Sequence, residues 1–404
     1  MFKGCDWLNN RPQRSEFAKY WGLDPEITFL NHGSFGACPT EILDYQSKMR
    51  LQLETDPVRF FEYECLPLWH NAIESLSRFI NANPEGMTFQ NNATAGVNSV
   101  LRSLKFEQGD EIIVPNHSYQ ACWNAIEFVA KRWGAKVIVV DIPFIIEEED
   151  QIIELILTAI TERTKLALID TVTSPTGMRM PFERLITEIQ SRGIDVLLDA
   201  AHGPGIVPLN LKKLDVAYMT GNCHKWLCTP KGSAFLHIRE DRKSLIKPLN
   251  ISHGYSADLN AQEKFRFEFD WTGTQDPTPW LCIPKAIESL GSKVAGGWPE
   301  ILERNRKLAI YGRKLMCEAL GSEPSIPESM VTSLAAAEIS SKIKTKDENL
   351  QFDPLHTSLF EDYGIQIPVW HWPHHNTRYI RLSAALYNGE EEYQYLAKAL
   401  KESL

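Results

Sequence analysis

The sequence predicts an α/β protein: a mainly parallel sheet flanked by helices, followed by a smaller α+β domain. Three observations carry this. Short apolar runs recur between about residues 85 and 285, longer helical patterns separate them, and the texture changes near residue 285. Strands that are apolar along their whole length are covered on both faces, as in a parallel sheet of βαβ units. The runs are EIIVP (111–115), KVIVV (136–140), KLALID (165–170), IDVLLD (194–199), DVAYMT (215–220) and SAFLH (233–237). Helices are expected over 94–104, 119–133, 148–161 and 181–192, and one amphipathic stretch over 284–320 ends at the turn SEPSIPES. The expected division is a segment 1–40 packing with the small domain, a large domain 41–285 and a small C-terminal domain 286–404.

Length and charge narrow the function classes. At roughly 100–200 residues per domain, 404 residues suggest two or three domains with a sizeable core. The net charge is −10, from 42 Lys plus Arg against 52 Asp plus Glu, with no long basic block. Neither nucleic acid nor an anionic membrane is therefore an expected partner. Eight cysteines, at 5, 38, 65, 122, 223, 228, 282 and 317, form no CxxC pair, so reduced thiols and a cytoplasmic setting are expected. The N-terminus lacks a signal-like apolar region and no run reaches the roughly 18 apolar residues of a membrane span. The mature protein is expected to be the whole chain.

Three segments carry possible chemistry. In GNCHKWLCTPKGSAFL (221–236), Lys225 sits between His224 and Trp226 in a connection between two expected strands. A lysine held among apolar and aromatic neighbours loses its proton more readily and becomes a nucleophile able to form a Schiff base. In VLLDAAHGPG (196–205), Asp199 closes an apolar strand just before His202. Ligands of open α/β sheets bind at such strand ends. In NNATAGVNSVLRSL (91–104), Thr94, Ala95 and Gly96 open a helix, where free N–H groups and the helix dipole favour an anion. Taken singly, these read as a surface turn, an N-cap and a plain helix start. Together they supply what pyridoxal 5'-phosphate needs: a Schiff-base lysine, an anion for a pyridinium and a phosphate cradle.

In this order the three segments resemble the class V aminotransferase superfamily, whose fold is the PLP-dependent transferase fold type I with a seven-stranded, mainly parallel sheet. The likeness is greatest to its isopenicillin N epimerase-like branch. It runs through FLNHGSFGACP (29–39), the NAT turn (92–94), NHSYQA (116–121), TSPTG (173–177), DAAHGPG (199–205), TGNCHKWLCTPKG (220–232), SHGY (252–255), WTGTQDP (271–277) and YIRLSAALYN (379–388).

The resemblance implies roles residue by residue. Lys225 is similar to the lysine that attaches the cofactor and then serves as general base at Cα, and Asp199 to the carboxylate that keeps the pyridine nitrogen protonated. His202 resembles a residue near the cofactor O3′, with Ser174 among the cofactor contacts. Thr94, Ala95, Asn222 and His224 resemble phosphate contacts. Gly273 and Thr274 resemble the turn that completes the phosphate site of a neighbouring subunit, which implies a homodimer. His117 matches the ring-stacking residue, and Tyr119, two positions on, is a possible acid or a second stacking group; for epimerisation either His117 or Tyr119 is the expected second acid opposite Lys225. Arg381 resembles the arginine that grips the substrate carboxylate, and Asn31 and His32 are expected to line the same pocket.

The implied activity is removal of the Cα proton from an amino acid or amino-acid-like small-molecule substrate. Epimerisation is the leading expectation; C–S lysis of a cysteine conjugate or sulfoxide and transamination are alternatives, as is a non-catalytic binding protein that keeps the fold. No cysteine follows Cys317, which disfavours a desulfurase with a persulfide-accepting thiol on a late loop. His371, His374 and His375 lack a consistent ligand spacing, so no metal is expected.

Overall fold

The computed structural model describes residues 11–339, 353–372 and 378–404. Seven strands form the central sheet: β1 (Met87–Gln90), β2 (Glu111–Pro115), β3 (Lys136–Val140), β4 (Thr164–Asp170), β5 (Asp195–Ala200), β6 (Tyr218–Asn222) and β7 (Ala234–Ile238). Their spatial order is β1-β7-β6-β5-β4-β2-β3. Strands β2 to β6 run parallel, while β7 is antiparallel to β6 and β1 antiparallel to β7. The reversal at β7 follows from the chain between the strands: residues 223–233 make a short connection without a crossover helix, which suits an antiparallel neighbour. Strand β1 has no expected counterpart, because MTFQ is too short and too polar to stand out as an apolar run.

Helices α1 (Ala93–Ser103), α2 (Gln120–Trp133), α3 (Glu149–Thr158) and α4 (Phe182–Gln190) cover the sheet. Each buries one stripe at helical spacing, as with Val97, Val100 and Leu101 of α1 and Leu185, Ile186 and Ile189 of α4. Helix α1 lies very close to β6. A Cβ on Gly96 would come within 2.1 Å of Thr220 Oγ1, so only glycine lets the start of α1 reach the sheet edge. Two further helices, Thr40–Thr55 and Cys65–Phe79, precede the sheet.

The stretch 284–320 is not one helix. It breaks into Ile283–Gly291 and α5 (Gly297–Leu320), because Gly296 and Gly297 interrupt it and Gly297 takes φ +63°. Helix α5 packs on an antiparallel sheet of β8 (Leu334–Ile339), β9 (Val369–His371) and β10 (Arg378–Ser383), ordered β9-β10-β8, and on the last helix, α6 (Glu390–Ser403). Near the N-terminus, Thr28–Phe29 pairs in parallel with Ile365–Gln366. Among the described residues no helix is long and apolar enough to cross a membrane, and no group of three or more His, Cys, Asp or Glu is placed to hold a metal ion. His374 and His375 lie outside the described residues.

The chain leaves β2 for β3 on one side and returns to β4 on the other, so the strand order reverses between β2 and β4. The carboxyl ends of neighbouring parallel strands diverge at such a point and open a crevice.

Candidate active site

A cavity of about 1020 Å³ opens at that crevice, and the residues after β2, β4, β5 and β6 line it, among them Ser118, Asp170, Asp199 and Asn222. Lys225 enters from the β6–β7 connection and is 9% exposed. Two distant segments hold its backbone. His32 donates from Nε2 to the Lys225 carbonyl at 2.9 Å, while its Nδ1 meets the Tyr387 hydroxyl at 2.9 Å. Gly36, at φ +70°, lies so near that a Cβ would fall 2.4 Å from the His224 carbonyl oxygen.

Among the described residues the Lys225 side chain has one hydrogen-bond neighbour, His202 Nε2 at 3.0 Å. The other ring nitrogen of His202 accepts from Trp226 Nε1 at 3.1 Å. An indole nitrogen only donates, so His202 Nδ1 is unprotonated, and a neutral ring then carries its proton on Nε2. Burial, with the Lys225 charge adding to it, holds His202 well below its usual pKa, so the ring is neutral. Its Nε2–H is therefore placed to meet the lone pair of the amine once Lys225 has lost its proton. Burial and then the Arg381 charge push the Lys225 pKa down to about 8, which brings that loss closer to neutral pH than for a solvated lysine.

Asp199 lies one residue before the end of β5 and borders the same cavity. Its Oδ1 accepts from the Ala201 N–H at 2.8 Å and its Oδ2 from the Cys122 thiol at 3.1 Å. Burial raises its pKa; the Ala201 amide, the Cys122 thiol and the Lys225 charge oppose that rise. Asp170, its register partner on β4, accepts from Ser118 Oγ at 2.5 Å and is raised by burial and then by Asp199. Two adjacent buried carboxylates resist double ionisation, and the upward push is the stronger at Asp170. Sequence reasoning missed Asp170, Ser118 and Cys122. A carboxylate at the end of an apolar run was the available signal for Asp170, the same signal that marked Asp199.

At the other end of the cavity, Thr94 lies in the first turn of α1. Asn222 Oδ1 accepts from the Ala93 N–H at 2.8 Å, which leaves its amide group for another partner. His224 Nδ1 donates to the Ser233 carbonyl at 2.8 Å, and burial lowers its pKa to about 4. The Ala95 amide is bonded to Asn92 Oδ1 at 2.8 Å and does not line the cavity, so Ala95 belongs to the helix cap.

Several expected site residues sit elsewhere. His117 is set back from the cavity: Nε2 donates to the Ile142 carbonyl at 3.0 Å, Nδ1 meets Thr176 Oγ1 at 2.9 Å, and the ring packs edge-on against Trp372. Tyr119 does line the cavity and is 46% exposed. Arg381 is wholly buried at the margin. Its guanidinium bonds to the Ser174 carbonyl and, at 3.4 Å, to Ser34 Oγ, lies 4.6 Å from the Trp370 ring centre, and has no acceptor on Nε among the described residues. Ser34, Ser174 and Trp370 line the cavity. Asn31 and His32 do not. Gly273 borders a separate hollow of about 450 Å³ that also meets Phe61, Trp69 and Trp271.

These groups fit pyridoxal 5'-phosphate. They provide a buried amine of lowered pKa, a strand-end carboxylate that borders the cavity, and, at the far end, a helix start with amide and imidazole side chains.

The comparisons agree with the geometry. Residues 62–352 match the family model described as aminotransferase class-V. The chain is 32% identical to isopenicillin N epimerase of Amycolatopsis lactamdurans, covering 98% of both chains. It is 28% identical to a probable chloroplastic L-cysteine desulfhydrase of Arabidopsis thaliana, covering 98% of this chain and 86% of that one. The solved cystine C–S lyase C-DES, in complex with its reaction product cysteine persulfide, superposes with a TM-score of 0.80 at 20% identity, over 94% of this chain and 98% of that one. With a family model matched over most of its length and a near full-length relative above 30% identity, the chain belongs to the aminotransferase class-V family and is a pyridoxal 5'-phosphate-dependent enzyme.

Proposed function

We propose that this enzyme removes the Cα proton of a small amino-acid substrate and returns a proton to the opposite face, an epimerisation. The contact between Lys225 and His202 carries the reading: a buried amine whose pKa is lowered to about 8, at the carboxyl edge of the sheet, is placed to act as a base. Pyridoxal phosphate, when bound, supplies the electron sink that stabilises negative charge at Cα.

The chain's own residues do the rest. Lys225 Nζ would hold the cofactor and take the Cα proton, with His202 Nε2–H orienting the amine lone pair. Asp199 would serve as the anion for the ring nitrogen. Thr94, Asn222 and His224 would hold the phosphate, with Ser174 among the cofactor contacts. Arg381 binds the substrate carboxylate, which displaces Ser34 Oγ and the Ser174 carbonyl from the guanidinium and engages the free Nε. Trp370, stacked on the guanidinium face, holds the plane of that fork. Tyr119, open to the cavity, is the phenol that delivers the second proton. The enzyme works as a homodimer in which Gly273 and Thr274 reach the partner's phosphate site; the apolar hollow beside Gly273 supports that arrangement.

A second reading is C–S lysis, in which one base suffices and a sulfur substituent leaves from Cβ. The fixing of both His117 nitrogens favours it, because Tyr119 is then the single candidate for a second acid among the residues first expected to act. Incubation with L-amino acids and cysteine conjugates in deuterated water separates the two. Deuterium at Cα with inversion supports epimerisation. Pyruvate with a released sulfur product supports lysis, and formation of a 2-oxo acid with the aminated cofactor overturns both.

A further inference from the structure

Asp199 is held from two sides, and one holder is a cysteine. Cys122 lies in the first turn of α2, is fully buried, and directs its thiol to Asp199 Oδ2 at 3.1 Å, while the Ala201 amide occupies Oδ1. The titratable groups facing this carboxylate are Asp170 from β4, Cys122 from α2 and Lys225 from the β6–β7 connection. Asp170 is a second carboxyl at the same register level, so Asp199 needs donors of its own to be the member of the pair that ionises. The backbone amide is one donor and the thiol is the other. Burial and the neighbouring carboxylates raise the Cys122 pKa well above its ordinary value, so the sulfur keeps the proton it donates.

We propose that Cys122 is a positioning residue for Asp199: its S–H orients Oδ2 and favours the ionised carboxylate opposite the cofactor's ring nitrogen. The inference deepens the reading of Asp199 given above and rests on it. A donor to a carboxylate stabilises the charged form, so removing it lets the shared proton move from the ring nitrogen towards Asp199. The thiol touches neither cofactor nor substrate, so its effect is indirect.

The test uses the full-length protein loaded with pyridoxal phosphate and reads the cofactor dissociation constant and the pH midpoint of the visible absorption band. Cys122→Ala is expected to weaken cofactor binding about threefold to tenfold and to move the midpoint. Cys122→Ser, which restores a donor of similar size, is expected to return both to within about twofold. A role in packing alone predicts lower melting temperatures for both variants with binding and midpoint unchanged, and that result overturns the proposal, as does a serine variant no better than alanine. Should the variants fold poorly, the wild-type S–H stretching band provides a second measurement. It is expected to shift in the infrared difference spectrum against Asp199→Asn, and an unshifted band overturns the inference. If Asp199→Asn binds the cofactor as the wild type does, the reading of Asp199 fails and takes this one with it. If Asp199→Asn loses binding while both Cys122 variants behave as wild type, only the role of Cys122 fails.

Discussion

Lys225 Nζ and His202 Nε2 meet at 3.0 Å, and the indole of Trp226, on the far side of the imidazole, keeps the imidazole proton on the nitrogen that faces the amine. Because Trp226 blocks protonation at Nδ1, His202 acts as a donor to Lys225, and an ammonium in that place would set two hydrogens against each other. The low pKa of the lysine is thus geometric as well as a matter of burial.

Trp226→Phe removes the block. His202 is then free to carry its proton on Nδ1 and accept from an ammonium, so the Lys225 pKa is expected to rise from about 8. Each unit of rise costs about tenfold in neutral amine at a fixed lower pH. The pH profile of borohydride-trappable cofactor attachment should move to the alkaline side, with loading at neutral pH slower by roughly tenfold. An unmoved profile would remove Trp226 from the account.

His224 offers a proton-linkage experiment. Its Nδ1–H is spent on the Ser233 carbonyl, and burial, then the Lys225 charge, lowers its pKa to about 4. A phosphate dianion beside it favours the charged ring, so binding inorganic phosphate should take up a proton between about pH 4 and the higher bound-state pKa. Affinity accordingly falls as pH rises through that higher value. Titration calorimetry in buffers of different ionisation enthalpy measures the uptake, and His224→Asn should abolish it. Equal heats in both buffers for the wild type contradict the prediction.

The small sheet is anchored by a buried ion pair. Asp353 accepts from Arg378 at 2.5 and 2.7 Å and from His371 Nε2 at 3.0 Å, tying β10 and β9, which carries Trp370, to the chain before Pro354. Burial opposes ionisation of Asp353, yet the Arg378 guanidinium and the Leu355 amide hold its carboxyl below the usual range. The stabilisation is therefore present above an unfolded pKa of about 3.9 and lost as pH falls through the lower folded value. Asp353→Asn leaves Arg378 buried without its counter-charge and should cost about 3–5 kcal/mol in urea unfolding at neutral pH. A loss below about 1 kcal/mol would show that the pair is not what anchors the sheet.

Subunit complementation tests the proposed sharing of the phosphate site between two subunits. Lys225→Ala and Gly273→Val are each expected to be nearly inactive as pure dimers. After mixing and subunit exchange, half of the dimers are hybrid and each hybrid has one intact site, so activity should recover to about a quarter of wild type. No recovery, with exchange verified, would place Gly273 outside the partner's site.

Strand ends and helix starts are written locally, and this is why Lys225, Asp199 and Thr94 could be read from the chain. The runs at 111–115 and 136–140 match β2 and β3 residue for residue, and the remaining four lie within a few residues of their strands. A chain that ends an apolar strand on aspartate places that carboxylate at the sheet edge whatever surrounds it. The family motifs likewise made the cofactor legible before any fold was known.

Other features depend on elements far apart in sequence. His117 was expected over the cofactor, but contacts from Ile142, Thr176 and Trp372 turn it into the wall. His32 was expected in the pocket and instead braces the Lys225 backbone. Asp170 and Cys122 become part of the site because β4 and α2 pack beside β5, and Arg381 is buried because Ser34, Ser174 and Trp370 converge on it. Sequence by itself determined which chemical groups stand at the carboxyl edge of the sheet, since backbone periodicity and turn chemistry act over a few residues. Tertiary structure alone decided which nitrogen holds each proton and which side chains face the cavity, because those outcomes depend on desolvation and on hydrogen-bond partners brought together only by packing.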